Sequence, residues 1–244
     1  MSFEKEVNER IEAIGRNETL KTIAHVFMRE SLTPKYSYNF SWMGRPIIQY
    51  PQDIIAIQEI IWEIKPALII ETGIAHGGSL IFSAAMLELV AACGGGEGEV
   101  LGVDIDIRPH NRKAIEEHPM SRRISMIQGS SIAPEIVAQV VERAKGKQRI
   151  LVCLDSNHTH EHVLAELEAY APLTTLGSYC VVFDTLIDDM PKQILGDRPW
   201  GHGNSPKTAV HEYLKNHKEF VIDKSIDHKL LITVAPNGYL KRVR

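Results

Sequence analysis

The polar residues best suited to chemistry stand where apolar runs end. Asp155 and Asp184 each close such a run, and His158 follows Asp155 by three positions. Two carboxylates at the ends of adjacent strands could share one octahedral cation such as Mg²⁺, and a histidine beside them could act as a base near neutral pH. The pattern predicts Asp155 and Asp184 as metal ligands and His158 as the base. A third metal ligand is left open, with Asp188 the first candidate and Asp189 and Thr185 the others.

The same segment permits a second interpretation, because histidines occupy positions 158, 160 and 162. This spacing is close to the H-x-H-x-D-H zinc motif of hydrolases but is one residue short, since Glu161 directly follows His160. If a helix begins near His160, these two side chains point to different faces and cannot easily meet on one ion. A zinc hydrolase site is therefore the weaker alternative.

A glycine-rich turn is the other feature with chemical meaning. The run Leu68–Ser79 predicts a buried strand tipped by Glu71, a turn containing Gly73 and Gly77, and a helix capped by Ser79. Such turns allow the backbone to approach a ligand at the carboxyl edge of a parallel sheet. The dinucleotide pattern G-x-G-x-x-G does not match, and a carboxylate here would lie close to a pyrophosphate. A cationic ligand without phosphate, such as S-adenosylmethionine (SAM), fits better.

Cofactor contacts are expected from several other strand ends. Asp104 ends the second strand of the alternating series, about where an acidic residue accepts ribose hydroxyls, although this role does not separate SAM from NAD. Asp106 is a competing candidate for that contact. Ser130 could meet an adenine or could cap a helix. The predicted cofactor-binding residues are Glu71, Gly73, Ala75, His76, Gly77, Ser79, Asp104, Ser130 and Asp155.

An alternation of strands and helices must position these residues. Near-continuous apolar strands separated by helices imply an α/β fold with a mostly parallel sheet covered by helices on both faces. The predicted strands are Ala67–Glu71, Val100–Asp104, Ile124–Gln128, Ile150–Asp155, Ser178–Asp184, Phe220–Ile222 and Leu230–Val234. The last two predict an antiparallel hairpin at one edge. The strand tips converge on one crevice in such a Rossmann-like, seven-stranded sheet.

The segments outside this alternation have predicted roles of their own. Residues 1–66 carry helical periodicity and an aromatic run from Tyr36 to Trp42, and they predict an N-terminal extension that serves as an oligomer or lid element. Residues 67–244 form the predicted cofactor-binding domain. The polar loop Asp188–Pro206 is expected to cover the acceptor, with Trp200 and His202 as its contacts.

The composition limits the class of protein. With 244 residues and 44% hydrophobic content the chain can bury one α/β core, and a net charge of −4 argues against a nucleic-acid surface. Three cysteines without C-x-x-C spacing indicate reduced core residues. With no signal peptide and no long apolar run, the sequence predicts a cytoplasmic protein without a membrane partner.

Four runs of sequence together resemble the cephalosporin hydroxylase family, which also includes proteins labelled rhamnosyl O-methyltransferase. The runs are Tyr38–Gln49, Glu71–Ser79, Asp155–His158 and Val182–Thr185, and the resemblance spans roughly residues 36 to 244. It implies the class I methyltransferase fold and an O-methyltransferase that depends on SAM and Mg²⁺.

The resemblance also implies roles for single residues. Glu71, Gly73 and Asp104 would contact SAM, Asp155 and Asp184 would bind the metal, and His158 would be the general base. The chain departs from the better-known members at Phe183, where they have a glutamate, and at Ala75, where the usual loop has a glycine.

The function expected from the sequence is methylation of a small-molecule hydroxyl on a sugar, natural-product or cephem-like acceptor by a homo-oligomeric enzyme. One alternative is a metal-dependent oxidoreductase or hydroxylase, as the family name suggests. Another is a non-catalytic SAM-binding subunit.

Overall fold

The computed structural model describes residues 2–244, beginning with two helices and a short hairpin. Helix α1 spans Phe3–Gly15 and helix α2 spans Glu18–Leu32. They are separate because Asn17 caps α2 with a bond from the Leu20 N–H (3.0 Å) to its side-chain oxygen. The aromatic run then forms a 3₁₀ turn, and residues 41–46 form the hairpin. Its strands are β1 (Ser41–Trp42) and β2 (Arg45–Pro46), and helix α3 (Pro51–Ile64) follows.

Seven strands form the central sheet, in the order β5-β4-β3-β6-β7-β9-β8. The strands are β3 (Leu68–Thr72), β4 (Glu99–Asp104), β5 (Ile124–Gln128), β6 (Ile150–Leu154), β7 (Tyr179–Val182), β8 (Phe220–Ile222) and β9 (Tyr239–Arg242). The first five run parallel, whereas β9 is antiparallel to both of its neighbours, β7 and β8. The predicted seven-stranded, mostly parallel sheet with an antiparallel edge is therefore confirmed.

One predicted strand is wrong. The apolar run Leu230–Val234 does not pair in the sheet, because it continues from a helix and turns at Leu231, which has a positive φ of 58°. The strand that pairs with β8 is β9, after the turn at Asn237–Gly238. A short apolar run is compatible with the end of a helix as well as with a strand, and residues 230–234 begin at the end of helix α10 (Lys224–Leu230).

Helices cover both faces of the sheet. They are α4 (Gly78–Ala92), α5 (Pro109–Glu116), α6 (Pro134–Ala144), α7 (His160–Tyr170), α8 (Lys192–Leu195), α9 (Pro206–Asn216) and α10 (Lys224–Leu230). Alternate strand residues point to opposite faces, so Ile69 and Leu151 pack with α3 and α4, whereas Ile70 and Val152 pack with α6, α7 and α9. The buried strands thus stand between two apolar cores.

A buried aspartate joins α3 to the C-terminal segment. Asp53 is fully buried and accepts hydrogen bonds from the Thr233 hydroxyl (2.5 Å), the Val234 N–H (3.0 Å) and the Tyr239 hydroxyl (2.8 Å). Burial raises the pKa of Asp53 to about 6, although the three donors oppose the shift. The contact fixes the start of α3 against the strand that closes the sheet.

Within residues 2–244, no helix has both the length and the apolar character needed to cross a bilayer.

Candidate active site

Three of the predicted site residues lie together at the carboxyl edge of the sheet. One ligand atom from each of Asp155, His158 and Asp184 lies within 4.8 Å of the others. Asp155 directly follows β6, and Asp184 lies two residues beyond β7 in a left-handed conformation (φ 55°). The Nε2 atom of His158 is 3.2 Å from Asp184 Oδ2. Strand pairing between β6 and β7 thus brings together side chains that are far apart in sequence.

The electrostatics of this group suit a bound cation. Burial raises the pKa of Asp155 well above its usual range, and the nearby carboxylate of Asp184 raises it further. A divalent cation between two carboxylates would favour their charged forms, and oxygen ligands are the kind that Mg²⁺ takes. The donor set therefore fits a hard divalent cation.

Asp188 lies outside this group, which corrects its prediction as a third metal ligand. Its Oδ1 atom accepts hydrogen bonds from the Gly203 N–H (2.8 Å) and the Ser205 hydroxyl (2.9 Å), which ties the loop before α9 to the 3₁₀ turn at 185–189. Its neighbour Asp189 forms an ion pair with Lys207. Both carboxylates are thus occupied in holding this loop and helix together.

The other two histidines lie apart from His158. His160 Nδ1 is 2.8 Å from the Thr208 hydroxyl, and His162 Nε2 is 3.0 Å from the Ser131 hydroxyl. Helix α7 begins at His160, so its first side chains point in different directions. A zinc site would require them to converge on one ion. The three histidines do not form a common metal site.

The glycine-rich turn lies between β3 and α4, beside Asp155, His158 and Asp184, which are called the cation group below. Asp104 Oδ2 accepts hydrogen bonds from the N–H groups of Ile74 (2.7 Å) and Ala75 (3.3 Å), and these bonds hold the turn from the neighbouring strand. Ala75 itself has a positive φ of 46°, a conformation that is uncommon for a non-glycine residue. Asp104 therefore stabilises the turn. It also lies at the strand end where a contact with a ribose is expected.

Two glycines of this turn are required by close approaches of backbone. Gly73 has a φ of 90°, and a Cβ there would collide with the Asp155 carbonyl. A Cβ at Gly78 would collide with the Pro46 carbonyl. The first glycine lets the tips of β3 and β6 meet, and the second lets the N-terminal segment cross the start of α4.

Glu71 lies behind the turn rather than in front of it. Its side chain accepts a hydrogen bond from the Ser79 hydroxyl and is only 5% exposed. Burial raises the pKa of Glu71 to about 7, with the Ser79 bond opposing the shift. Glu71 therefore supports the turn and the first residues of α4 from within.

A cavity of about 280 Å³ opens between the turn and the cation group. Its wall combines predicted cofactor residues, the cation group, the N-terminal segment and the loop after β7. From the predicted set it includes Gly73, Ala75, His76, Ser79, Asp104, Asp155, His158 and Asp184. The N-terminal segment and the loop contribute Tyr38, Pro46, Gln49, Met190, Leu195 and Arg198.

Several predicted residues do not line this cavity. Gly77 packs against Ile115, and the Ser130 carbonyl accepts the Ala133 N–H (2.9 Å) in a turn before α6. Trp200 packs edge-on against the His158 ring, with 4.9 Å between ring centroids. The His202 side chain is 86% exposed and turns away towards Asp188. Trp200 therefore contacts His158 rather than the cavity, and His202 reaches neither.

Sequence reasoning missed the residues by which the N-terminal segment enters the site. Arg45 donates from Nε (3.0 Å) and Nη2 (2.6 Å) to the His76 carbonyl and also bonds Asn111 Oδ1 (3.1 Å). Gln49 lies 3.4 Å from Asp155 Oδ2. Both occur in the Tyr38–Gln49 run, but nothing in their spacing indicates that Arg45 contacts the glycine-rich turn or that Gln49 contacts the end of β6.

The fold and the site define a class of protein. A mostly parallel seven-stranded sheet whose one antiparallel strand, β9, lies next to the edge, with a glycine-rich turn after the inner strand β3, is the class I methyltransferase fold. Solved methyltransferase structures share it. A CmcI structure with Mg and SAM has a TM-score of 0.57 at 17% identity, over 85% of this chain and 78% of that one. A TDP-rhamnose 3'-O-methyltransferase of calicheamicin biosynthesis has a TM-score of 0.52 at 18% identity, over 99% and 95%.

Sequence comparison identifies the family. Residues 34–243 match the family described as rhamnosyl O-methyltransferase/CmcI. The rhamnosyl O-methyltransferase of Mycobacterium bovis (strain BCG / Pasteur 1173P2) is 32% identical over 208 residues, which cover 83% of this chain and 78% of that protein. The Mycobacterium leprae protein of the same name is 32% identical over 205 residues, 83% and 82% of the two chains. The chain belongs to the rhamnosyl O-methyltransferase/CmcI family.

Proposed function

We propose that this protein transfers the methyl group of SAM to a hydroxyl of a small molecule, with the help of a divalent cation such as Mg²⁺. The observation that carries the proposal is the group formed by Asp155, His158 and Asp184 beside the cavity under the glycine-rich turn. Relatives in the family are named rhamnosyl O-methyltransferases, and structures that share the fold hold Mg with SAM or SAH.

The residues of the chain divide the chemistry between them. SAM supplies an electrophilic methyl group, and the turn at Gly73–Ser79 with Asp104 would hold it. Asp155 and Asp184 would bind the cation and thereby orient the acceptor hydroxyl. An aliphatic hydroxyl is a poor nucleophile, so His158 would accept its proton as the new bond forms. Asp184, 3.2 Å from Nε2, would stabilise the resulting imidazolium, and the T-shaped contact with Trp200 would limit rotation of the ring.

A sugar or natural-product hydroxyl is the proposed acceptor. The wall of the cavity includes Tyr38 from the N-terminal segment, and Met190, Leu195 and Arg198 from the loop after β7. Apolar and aromatic surface with a few polar groups suits a hydroxylated ring. This lining supports loop 188–206 as the segment that covers the acceptor, through Arg198 rather than His202.

Three further proposals concern the whole chain. Residues 1–66 act as an extension that completes the cavity of the domain 67–244, a role supported by the contacts of Arg45 and Gln49. The protein forms a homo-oligomer, because Ile23 and Val26 leave apolar surface exposed on α2. It works in the cytoplasm, which the unpaired and buried Cys153 and Cys180 support.

Calorimetry would test the cofactor, with SAM and NAD titrated separately in the presence and absence of Mg²⁺. We expect micromolar binding of SAM and none of NAD. A tritium-labelled SAM assay against rhamnosylated and other sugar acceptors would then measure transfer with and without EDTA. Binding of NAD, or transfer that is insensitive to EDTA, would contradict the cofactor or the metal part of the proposal respectively.

A further inference from the structure

Gln49 is a buried amide that is held in place on both sides. Its side chain is 8% exposed, and its neighbours Ile47 and Tyr50 are 3% and 1% exposed. The Ile47 N–H bonds the Phe40 carbonyl (3.1 Å), and the Tyr50 hydroxyl lies 2.6 Å from the Ser31 hydroxyl. The position of the Gln49 backbone is therefore set by the packing of the N-terminal segment and not by Gln49 itself.

The amide has one satisfied end and one unsatisfied end. Its Nε2 group donates to Asp155 Oδ2 at 3.4 Å, a long hydrogen bond. Its Oε1 atom is buried and has no hydrogen-bond partner among residues 2–244. A buried carbonyl without a partner is unfavourable, so an amide at this position calls for an acceptor role.

Gln49 stands on the wall between two cavities. It lines the main cavity and also a small cavity of about 30 Å³ behind it, together with Asp155 and Phe183. Phe183 is 7% exposed and offers no ligand atom. Mg²⁺ usually keeps several waters, and two carboxylates would supply only part of its coordination, so a cation bound here would keep water ligands. Such waters would need acceptors nearby, and the unpartnered Gln49 carbonyl is available for that role.

We propose that the Gln49 carboxamide is a positioning residue of the cation site, whose N–H holds Asp155 while its carbonyl accepts a hydrogen bond from the hydrated cation. The inference rests on the cation site proposed above. Groups that orient a ligand in this way typically change metal affinity by 10–100-fold when they are removed. An N-terminal residue thus completes a site whose ligands come from the sheet.

Metal binding in the absence of SAM tests this role directly. Mn²⁺ would serve as the probe, with the free ion measured by its EPR signal, for the wild type and Gln49→Leu. We expect Gln49→Leu to raise the Mn²⁺ Kd by about 10-fold. The Kd for SAH, measured without metal, and the melting temperature of the metal-free protein should change little.

Gln52→Leu is the matched control. Gln52 is three residues away, also has a buried oxygen without a partner in the described chain, and does not line either cavity. We expect its Mn²⁺ affinity to equal that of the wild type. Wild-type Mn²⁺ affinity in Gln49→Leu, or parallel loss of Mn²⁺ affinity, SAH affinity and thermal stability, would overturn the inference and leave the proposed function intact.

Gln49→Glu provides a second route if the leucine variant does not fold. It keeps the length and an acceptor oxygen but places a carboxylate beside Asp155. We expect Mn²⁺ to raise its melting temperature by more than it raises that of the wild type. An equal or smaller rise would count against the inference. A wild-type protein that binds no Mn²⁺ would overturn both this inference and the metal part of the proposed function.

Discussion

At the scale of single residues, His158 connects the parts of the site. Its Nε2 atom faces Asp184, its ring meets the edge of Trp200, and its Nδ1 atom is buried without a partner in residues 2–244. Because a ring packed in this way cannot turn freely, its orientation towards the cavity is fixed before any ligand arrives. A side chain held in one orientation is better suited to act as a general base than to bind a ligand by adjusting its position.

His158→Ala should remove most turnover while it spares the cofactor. General-base catalysis contributes roughly 10²–10⁴-fold to rates, so we expect kcat to fall by at least about 100-fold. The SAH Kd from calorimetry should stay within about threefold of the wild-type value, because the turn at Gly73–Ser79 is held by Asp104 and not by His158. His211→Ala, at an exposed position on α9, is the control and should keep full activity.

A different pattern in His158→Ala would assign the residue another role. Loss of SAH affinity in proportion to kcat would make it a cofactor contact. A loss of thermal stability of several degrees would instead make it a packing partner of Trp200.

At the scale of elements, the β1–β2 hairpin is held against the glycine-rich turn by one side chain. Arg45 donates to the His76 carbonyl and to Asn111, which itself donates to the Ala75 carbonyl (2.9 Å). The turn thus has two supports, Asp104 on its N–H groups and the Arg45–Asn111 pair on its carbonyls. We expect the loss of either support to loosen the turn and so to weaken ligand binding there.

Arg45→Ala should therefore weaken cofactor binding without removing it. Hydrogen bonds from a charged group are worth about 1.5–3 kcal/mol, and part of that is lost to solvent exposure here, so we expect a roughly tenfold higher SAH Kd by calorimetry. Arg29→Ala, which breaks only a surface pair with Glu30, should bind SAH as the wild type does. Unchanged affinity in Arg45→Ala would mean that Asp104 alone holds the turn.

The contact between α3 and the C-terminal segment should make stability depend on pH. Asp53 has a folded-state pKa of about 6 against a reference value of 3.8. Between these values the folded protein binds more protons than the unfolded chain, so the free energy of unfolding falls as pH rises through this window. The raised pKa corresponds to about 3 kcal/mol of stability, which is present below about pH 4 and is lost as the pH rises through about 6.

Urea unfolding of the wild type and Asp53→Asn at pH 4, 5, 6 and 7 would measure this contribution. The variant cannot titrate at residue 53, so the difference between the two free energies of unfolding should shift against the wild type as pH rises. A constant difference from pH 4 to 7 would show that Asp53 is ionised throughout and that its three donors outweigh its burial.

The elements also show what sequence can and cannot predict. Strands β3 to β7 were recognised because each is a short apolar run between helical segments, and their order in the chain implies that Asp155 and Asp184 meet. The position of β9 was missed, since Tyr239–Arg242 is as short as the apolar run 230–234 and has no stronger local signal. The contacts of Arg45 and Gln49 were missed because they depend on how two distant segments pack.

At the scale of the whole molecule, α1 and α2 remain poorly covered. Helix α1 has no buried residue, and α2 exposes Leu20 (37%), Ile23 (60%), Val26 (42%) and Phe27 (37%) on its surface. Phe27 is only partly exposed, because its ring packs edge-to-face with that of Tyr36, with 5.5 Å between the ring centroids. The pair of helices is thus anchored at its base and presents apolar surface outward, as expected of a subunit contact.

Ile23→Glu should therefore dissociate the oligomer that we propose. A charge in the centre of an apolar contact must be desolvated to keep the contact, at a cost of several kcal/mol, so association should be lost at micromolar concentration. Light scattering after size exclusion would show a multimer for the wild type and a monomer for the variant. Leu176→Glu is the matched control, because Leu176 is 70% exposed but lies in the loop before β7, outside the helical pair. A wild type that is monomeric at all concentrations would reject the oligomer. Dissociation by both variants would place the contact elsewhere.

Methyl-transfer activity that survives in the monomeric Ile23→Glu variant would show that one chain holds a complete site, as the cavity walls from Tyr38 to Asp184 lead us to expect.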